Sequence, residues 1–491
     1  MKLKPVLDVI GRVLIVVGLS MTLPLVFAIV YQETNEIRVF LGVMVLLLFV
    51  GTVAWKGAFT DEKLTLKEGI LIGAIGWLII PLFGSLPYLF SGTLPSIWDA
   101  YFEAVSGFTT TGATVIPDVE SVARSVLLWR SFTQWLGGMG ILLVLVALIS
   151  NLGVDGARLL RSEMPGPKMS RVVPRMSSYA KSVWIVYITV TIIEVILLRL
   201  AGLDFFESLN HTFTSIATGG FSTRNAGLGA FGNPLAEFIV IFFMLVGGGN
   251  FALYYVVFTR KDPFLLWRDE EYRAYLLVIL AAFVLAVVDL SVGYYENLFQ
   301  SIRYGAFQIV SMKTGTGHIS FDYEQWTNLS KMILFVLMFF GGCQCSTTGG
   351  IKMVRMLIGL KFVKGELAKT IHPQIVYPVR INNNSVSDQV VSNVIGFLLL
   401  YFVLFFITSL FLTAFGYDAV SSMTGSAAIL GNVGPAMGVF GPNHTYGDLP
   451  NLVKLWLSFV MIMGRLEIYP VLISIQFLVS SISRRAPAFR N

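Results

Sequence analysis

Hydrophobic positions in this chain run in long blocks, without the every-third-or-fourth rhythm of a soluble amphipathic helix. Val13–Gln32, Gly69–Trp98, Ser131–Val154, Phe238–Thr259, Met332–Ile351 and Gln389–Tyr417 contain no Asp, Glu, Lys or Arg. Each is long enough to cross a bilayer, because a spanning helix needs about 20 apolar residues. Apolar length predicts ten spans, near 13–32, 39–55, 70–90, 131–150, 183–203, 238–258, 274–295, 332–357, 391–415 and 455–480. An even number places both termini on one side. Val13–Gln32 reads as a span and not a removable signal peptide, since it is too long for one and lacks an A-x-A cleavage site.

Between the third and fourth, fifth and sixth, seventh and eighth, and ninth and tenth spans lies a shorter segment rich in Gly, Thr and Ser. Laid over one another, these read SGFTTTGAT from Ser106, TSIATGGFS from Thr214, SMKTGTGHI from Ser311 and AILGNVGPA from Ala428. The seventh residue of every copy is glycine (Gly112, Gly220, Gly317 and Gly434), at intervals of 108, 97 and 117 residues. A short stretch upstream, for example Trp98–Val105 or Leu298–Val310, has the length of a half-helix. The predicted fold is an all-α integral membrane protein: four tandem units of helix, half-helix, glycine-bearing pore loop and helix around a pseudo-fourfold axis. The boundaries fall at an N-terminal two-helix hairpin (1–62) and repeats 63–160, 161–265, 266–370 and 371–491.

Composition agrees, with 55% hydrophobic and 13% charged residues in 491. Soluble domains carry about 25% charged residues, so a soluble enzyme, a disordered regulator and a nucleic-acid binder are excluded. The net charge of +6 is concentrated in Arg158–Lys181, Arg260–Arg273, Lys352–Arg380 and Arg484–Arg490, each following an apolar block. With Lys2, Lys4 and Lys56–Lys67 on the same side, this is the positive-inside pattern, and both termini are expected in the cytoplasm. Cys343 and Cys345 are one residue apart inside a span, too close for an unstrained disulfide and too few for a zinc site. They read as small packing residues.

Non-helical backbone at membrane depth is tolerated only where protein buries it or where it lines water. Four such segments around one axis can offer rings of carbonyl oxygens that replace the water shell of a monovalent cation. Glycine suits such a turn because it reaches positive φ and has no Cβ. The half-helices would point their partly negative C-terminal ends at the centre, favouring a cation. The hydroxyls of Thr109, Thr110, Thr111, Thr218, Thr314 and Thr316 would add ligands or brace the turns. The plainer alternative is helix packing through Gly and Thr, which leaves the fourfold register unexplained.

These residues resemble the Trk/Ktr/HKT superfamily of potassium transporters. WRSFTQWLGGMGI from Trp129, GGGNFALYY from Gly247, GGCQCSTTGGIK from Gly341 and GRLEIYP from Gly464 look like the second helices of its four repeats. The likeness spans the chain, and the extra hairpin makes it most similar to the bacterial TrkH/TrkG subunits rather than the shorter KtrB type. It implies a potassium-conducting homodimer of the bacterial cytoplasmic membrane, one pore per subunit, controlled by a cytosolic TrkA-type nucleotide-binding protein. No cofactor is expected in this chain; nucleotide would act only through the partner. The implied selectivity filter is Thr110, Thr111 and Gly112; Thr218, Gly219 and Gly220; Gly315, Thr316 and Gly317; and Asn432, Val433 and Gly434. Four glycines at the seventh position go with potassium in that family, and serine in the first copy with sodium.

The eighth span holds Gly341, Gly342, Gly349 and Gly350 with three hydroxyl residues in ten positions, at about 1 kcal/mol lost per glycine relative to alanine. A helix break is expected there, and the resemblance implies the family's intramembrane gating loop; close helix crossing is the alternative. Arg465 and Glu467 are the only charges of the tenth span. Such charges are costly, about 2.5–3.5 kcal/mol on insertion scales, and usually face a cavity or a partner. Arg465 matches the family's pore-lining arginine; a structural salt bridge, for instance to Glu467, is the other reading. Lys352 reads as the cytoplasmic boundary and a contact for the regulatory partner, or as a snorkelling lysine. Glu194 and Arg199 read as interhelical contacts. The third copy departs most: Gly315 stands where threonine is usual, His318 follows Gly317, Lys313 stands where the first copy has Phe108, and Cys343-Gln344-Cys345 interrupts the small-residue run. Lys313 is expected behind the turn, near an acid.

A catalytic reading lacks parts, for there is no Walker A, nucleophile elbow or H-E-x-x-H, and the four histidines are scattered at 211, 318, 372 and 444. The stronger rival is a secondary transporter coupling monovalent cation movement to a proton or sodium gradient. Such folds generally have twofold, often inverted repeats; here four copies run the same way, as in a channel-like path.

Overall fold

The computed structural model describes residues 4–59, 65–151 and 176–483, with the side chains of 66–67, 139–151, 176–181 and 478–483 left aside. The basic segment Arg158–Lys181, the lysine-rich part of the 56–67 connection and the C-terminal Arg484–Arg490 lie wholly or mostly outside these residues.

The apolar blocks form helices, as their pattern predicts. Six are long and apolar enough to span a membrane: Lys4–Val30, Thr34–Gly57, Glu68–Phe90, Ser182–Leu200, Glu270–Gly293 and Asp388–Ala414. Two bent pairs, Pro234–Gly247 with Phe251–Arg260 and Asn451–Arg465 with Tyr469–Phe477, serve as broken spans. Helix Arg124–Asn151 and the interrupted pair Asn328–Met338 and Met353–Ile371 complete the ten. Along Glu270–Gly293 the exposed residues include Leu277, Leu280, Val284, Leu285, Val288 and Val292. An apolar face of that length fits hydrocarbon and not water. The N-terminal pair packs closely at glycines, since a Cβ on Gly51 would sit 2.8 Å from the carbonyl oxygen of Gly11.

Four half-helices, Ile97–Phe108, Phe205–Ile216, Leu298–Lys313 and Ala419–Leu430, enter the protein without crossing it. Three begin at a side-chain cap that satisfies free backbone N–H groups: Asp204 accepts from Glu207, Asn297 from Phe299, and Asp418 from Val420 and Ser421. Their other ends are buried at the centre.

The second helices differ among the copies. Arg124–Asn151 is unbroken. The sixth and tenth spans, expected as single helices, bend by 95° and 113°. In the sixth, Gly247-Gly248-Gly249 ends one segment and the Asn250 side chain caps the next through Ala252 and Leu253 N–H. In the tenth, the helix stops at Arg465, and Glu467 and Ile468 adopt positive φ of 62° and 61°. The eighth span breaks over Phe339–Lys352, where the composition places a break. A two-residue hairpin turn with Asn382 and Asn383 at positive φ joins strands Arg380–Ile381 and Asn384–Ser385.

Candidate functional site

Each half-helix ends in the same backbone motif. The N–H of the fifth residue bonds to the carbonyl of the second, and that of the sixth to the carbonyl of the first. The 6→1 bonds are Thr111→Ser106 (2.9 Å), Gly219→Thr214 (2.8 Å), Thr316→Ser311 (2.9 Å) and Val433→Ala428 (2.7 Å). The 5→2 bonds are Thr110→Gly107, Thr218→Ser215, Gly315→Met312 and Asn432→Ile429, at 3.0–3.2 Å. Together they make a Schellman cap, which places the fifth residue in the left-handed region. The φ values are 55°, 52°, 64° and 54° at Thr110, Thr218, Gly315 and Asn432. A β-branched residue is strained there, by about 1–3 kcal/mol, so tertiary packing holds Thr110 and Thr218 in place.

The seventh residues, Gly112, Gly220, Gly317 and Gly434, also have positive φ, between 72° and 94°. Their missing side chains make room for the next copy. A Cβ on Gly112 would strike the carbonyl oxygen of Gly219, one on Gly220 that of Thr316, one on Gly317 that of Val433, and one on Gly434 that of Thr111. The contacts run from copy one to two, two to three, three to four and four back to one, so the turns form a closed ring. Asn432 seals the last joint by donating Nδ2–H to Thr111 Oγ1 at 2.8 Å and to the Met461 carbonyl at 3.0 Å.

Most of the threonine hydroxyls brace this ring. Thr109 bonds to the Val105 carbonyl and to Thr111 Oγ1 (2.7 Å each), and Thr314 repeats this with Val310 and Thr316. Thr218 donates to the Ala217 carbonyl and meets Thr347 Oγ1 at 3.1 Å. Thr110 Oγ1 is buried with no hydrogen-bond partner. The carbonyl of Gly219 accepts from Gln134 Nε2 at 2.7 Å, while Gln134 Oε1 accepts from Phe221 N–H.

Outside the ring is a cavity of about 130 Å³ that Gly112, Gly220, Gly317 and Pro435 help to line. Its wall is fixed by a buried pair, Arg130 Nε to Glu103 Oε1 at 2.6 Å. Arg130 also donates to the Ser222 carbonyl and lies 3.6 Å over the Phe221 ring, while Glu103 accepts from Val115 N–H and Thr114. That pair ties the segment leaving the first turn to the segment leaving the second. At the rim, hydrogen bonds from Asn225 Nδ2 and the Glu120 N–H hold Asp118 below the usual carboxylate range, so the rim keeps an anion at neutral pH.

On the other side lies the broken eighth span. Gly341 and Ile351 pair across the loop, the Gly341 N–H donating to the Ile351 carbonyl at 3.0 Å. Gly342 leaves room for the Gly248 carbonyl, and Gly349 lies against Asn432 and the Gly431 carbonyl; Gly350 has φ +68°. The loop thus lies directly beneath the fourth turn. Thr347 reaches the ring as well, donating Oγ1–H toward the carbonyls of Ile216 (3.0 Å) and Gly247 (3.2 Å). Arg465 donates Nη1–H to the Thr347 carbonyl and Nη2–H to the Gly137 carbonyl at 3.1 Å, bridging the loop to the first copy's second helix. It makes no ion pair among the described residues, and Glu467 pairs instead with Arg355. The reading of Arg465 as a salt bridge to Glu467 is therefore corrected. Lys352 does not snorkel; its ammonium folds back on the Thr348 carbonyl (2.6 Å) and on Ser346 Oγ. Lys313 is buried behind the third turn, and its hydrogen-bond partners are the carbonyls of Phe340 and Gly341 where an acid was expected. The nearby acid, Glu271, accepts from the N–H groups of Gln344 (2.6 Å) and Val354. Glu194 accepts from Ser215, and Arg199 donates to the Leu203 carbonyl.

Glu103, Arg130, Gln134 and Glu271 were not singled out from the sequence. Their signal is the polar residue itself at the edge of an apolar block, but the partners lie far along the chain, 27 residues away for Glu103–Arg130 within one repeat and 85 for Gln134–Gly219 across two.

Residues 35–483 match the TrkH family model, described as a cation transport protein. The chain is 36% identical over 480 residues to the Trk system potassium uptake protein TrkH of Halomonas elongata, covering 96% of this chain and 98% of that protein. It is 36% identical over 465 residues to the Trk system potassium uptake protein TrkG of Escherichia coli, covering 93% and 94%. The crystal structure of the potassium transporter TrkH from Vibrio parahaemolyticus matches with a TM-score of 0.87 and 31% identity, over 96% of this chain and 98% of that one.

Proposed function

The chain belongs to the TrkH family of cation transport proteins, and from that premise we propose that it is a channel-like potassium uptake subunit of a bacterial cytoplasmic membrane. Both termini lie in the cytoplasm on this reading. Potassium sheds its water at the ring and is held by backbone oxygens of Thr110, Thr111 and Gly112, Thr218, Gly219 and Gly220, Gly315, Thr316 and Gly317, and Asn432, Val433 and Gly434. The loop containing Gly341, Gly342, Gly349 and Gly350 obstructs the path beneath, and Arg465 holds it there. The subunit works as a homodimer, one path each, under a cytosolic TrkA-type protein that carries the nucleotide. The driving force is the membrane potential, about 2.3 kcal/mol per charge per 100 mV.

The observation that carries this reading is the closed ring: four turns of one backbone geometry, each packed on the carbonyl of the next. The names of the relatives support potassium as cargo. The test is rubidium uptake into proteoliposomes under an imposed potential. Uptake that follows voltage and is lost in Gly112→Ser or Gly317→Ser is expected. Saturable uptake strictly coupled to a proton or sodium gradient would instead identify a secondary transporter.

A further inference from the structure

The four copies act as controls on one another, and the third differs at one position. The third residue of the motif is Phe108, Ile216 and Leu430 in the other copies. There the backbone carbonyl of that residue is covered by a glycine of the second helix: Gly137 on Phe108, Gly247 on Ile216 and Gly464 on Leu430. In the third copy the second helix stops at Met338, and the residue is Lys313. Its side chain is fully buried, its ammonium reaches the carbonyls of Phe340 (3.3 Å) and Gly341, and it lies 5.3 Å from the Tyr275 ring centre.

A helix break leaves carbonyls without their intrahelical N–H partners, and hydrocarbon offers no replacement. At the far end of the loop, Arg465 and Lys352 take the carbonyls of Thr347 and Thr348. At the near end only Lys313 supplies a side-chain donor to Phe340 and Gly341 among the described contacts. Charge-assisted bonds of this kind are about twice as strong as neutral ones. The same geometry turns the ammonium onto the loop, away from the ring.

We propose that Lys313 is the positioning residue of the intramembrane loop: its ammonium replaces the hydrogen bonds lost at the break and fastens the loop's first half to the third turn. The proposal rests on the reading above only in treating the loop as the obstruction. Cys343, fully buried in that loop, is a native reporter. In a Cys345→Ser background it is the single thiol of the chain, and its labelling by a small membrane-permeant maleimide is followed beside partner-free rubidium uptake.

Lys313→Met removes the ammonium's bonds to the Phe340 and Gly341 carbonyls and is expected to raise both labelling and uptake roughly tenfold or more, and Lys313→Arg to restore both toward the wild-type level. Lys313→Gln, which keeps a donor without the charge, should fall between. Wild-type labelling in Lys313→Met, or failure of Lys313→Arg to restore it, overturns the proposal. So does failure of both Lys313→Met and Lys313→Gln to assemble, because the charge then serves the whole fold. Raised labelling with unchanged uptake supports the positioning role and overturns the reading of the loop as the obstruction.

Discussion

Gly315 and Gly317 lie two residues apart in the same turn, and both have positive φ, 64° and 72°. Their surroundings differ. A Cβ on Gly315 would find its nearest neighbour, the Asn432 carbonyl oxygen, at 3.6 Å, an ordinary contact. A Cβ on Gly317 would strike the Val433 carbonyl and approach Pro435 Cδ to 2.8 Å. Alanine at 315 therefore faces only the left-handed backbone, about 1–2 kcal/mol, offset by about 0.4–1 kcal/mol from a stiffer unfolded chain. Alanine at 317 faces the same backbone term plus overpacking of about 1–3 kcal/mol, and it displaces a carbonyl of the neighbouring copy. Gly315→Ala should lose no more than about 1.6 kcal/mol and keep its uptake and its rubidium-to-sodium ratio. With the same offset from the unfolded chain, Gly317→Ala should lose about 1–5 kcal/mol together with selective uptake. Thermal unfolding in detergent and paired rubidium and sodium fluxes in proteoliposomes measure both. Equal damage at the two positions would make backbone conformation alone the cause, and normal flux through Gly317→Ala would refute the ring contact as a functional element.

Arg465→Gln removes two charge-assisted bonds, each worth about 1.5–3 kcal/mol, so partner-free rubidium uptake should rise roughly tenfold or more. Arg465→Lys should lie between, since one ammonium lacks the planar fork that spans two carbonyls; uptake at wild-type level in Arg465→Gln would oppose the role given to it. Arg130→Met leaves Glu103 buried and unpaired, which should lower stability by about 3–5 kcal/mol. The exposed pair Lys369–Glu366, with side chains 46% and 49% accessible, is the comparison; Lys369→Met should change stability by no more than about 1 kcal/mol, and similar losses in both would contradict the burial argument.

The spans were legible because hydrocarbon selects for length and apolarity, which any window of sequence displays. The four seventh-position glycines were legible for a related reason, since the same steric demand recurs at the same place in each copy. The left-handed fifth position was not, because Thr110 and Thr218 oppose their own backbone preference and are held there by the 6→1 and 5→2 bonds together with the packing around them. The bend after Arg465 was hidden for the same reason: Glu467 and Ile468 carry no breaker signature, although Pro470 follows. The bend at Gly247–Asn250 had its signal in three consecutive glycines but lay inside an apolar block long enough to be one helix. Once a span breaks, its carbonyls become partners, so the ligands of Lys313, Lys352 and Arg465 were out of reach of any pairing by charge.

The hydrogen bond from Asn432 to Thr111 joins residues 321 positions apart. A ribosome adding about 5–20 residues per second needs roughly 16–64 s to travel that distance. Throughout that interval the turns already made, first one, then two, then three, sit in or near the bilayer with the circle open. The membrane insertion machinery, or lipid and water around it, must shelter those exposed backbone groups until the last quarter of the polypeptide arrives. Truncations and late nonsense mutations should therefore be cleared by quality-control proteolysis and not persist as partial conductors.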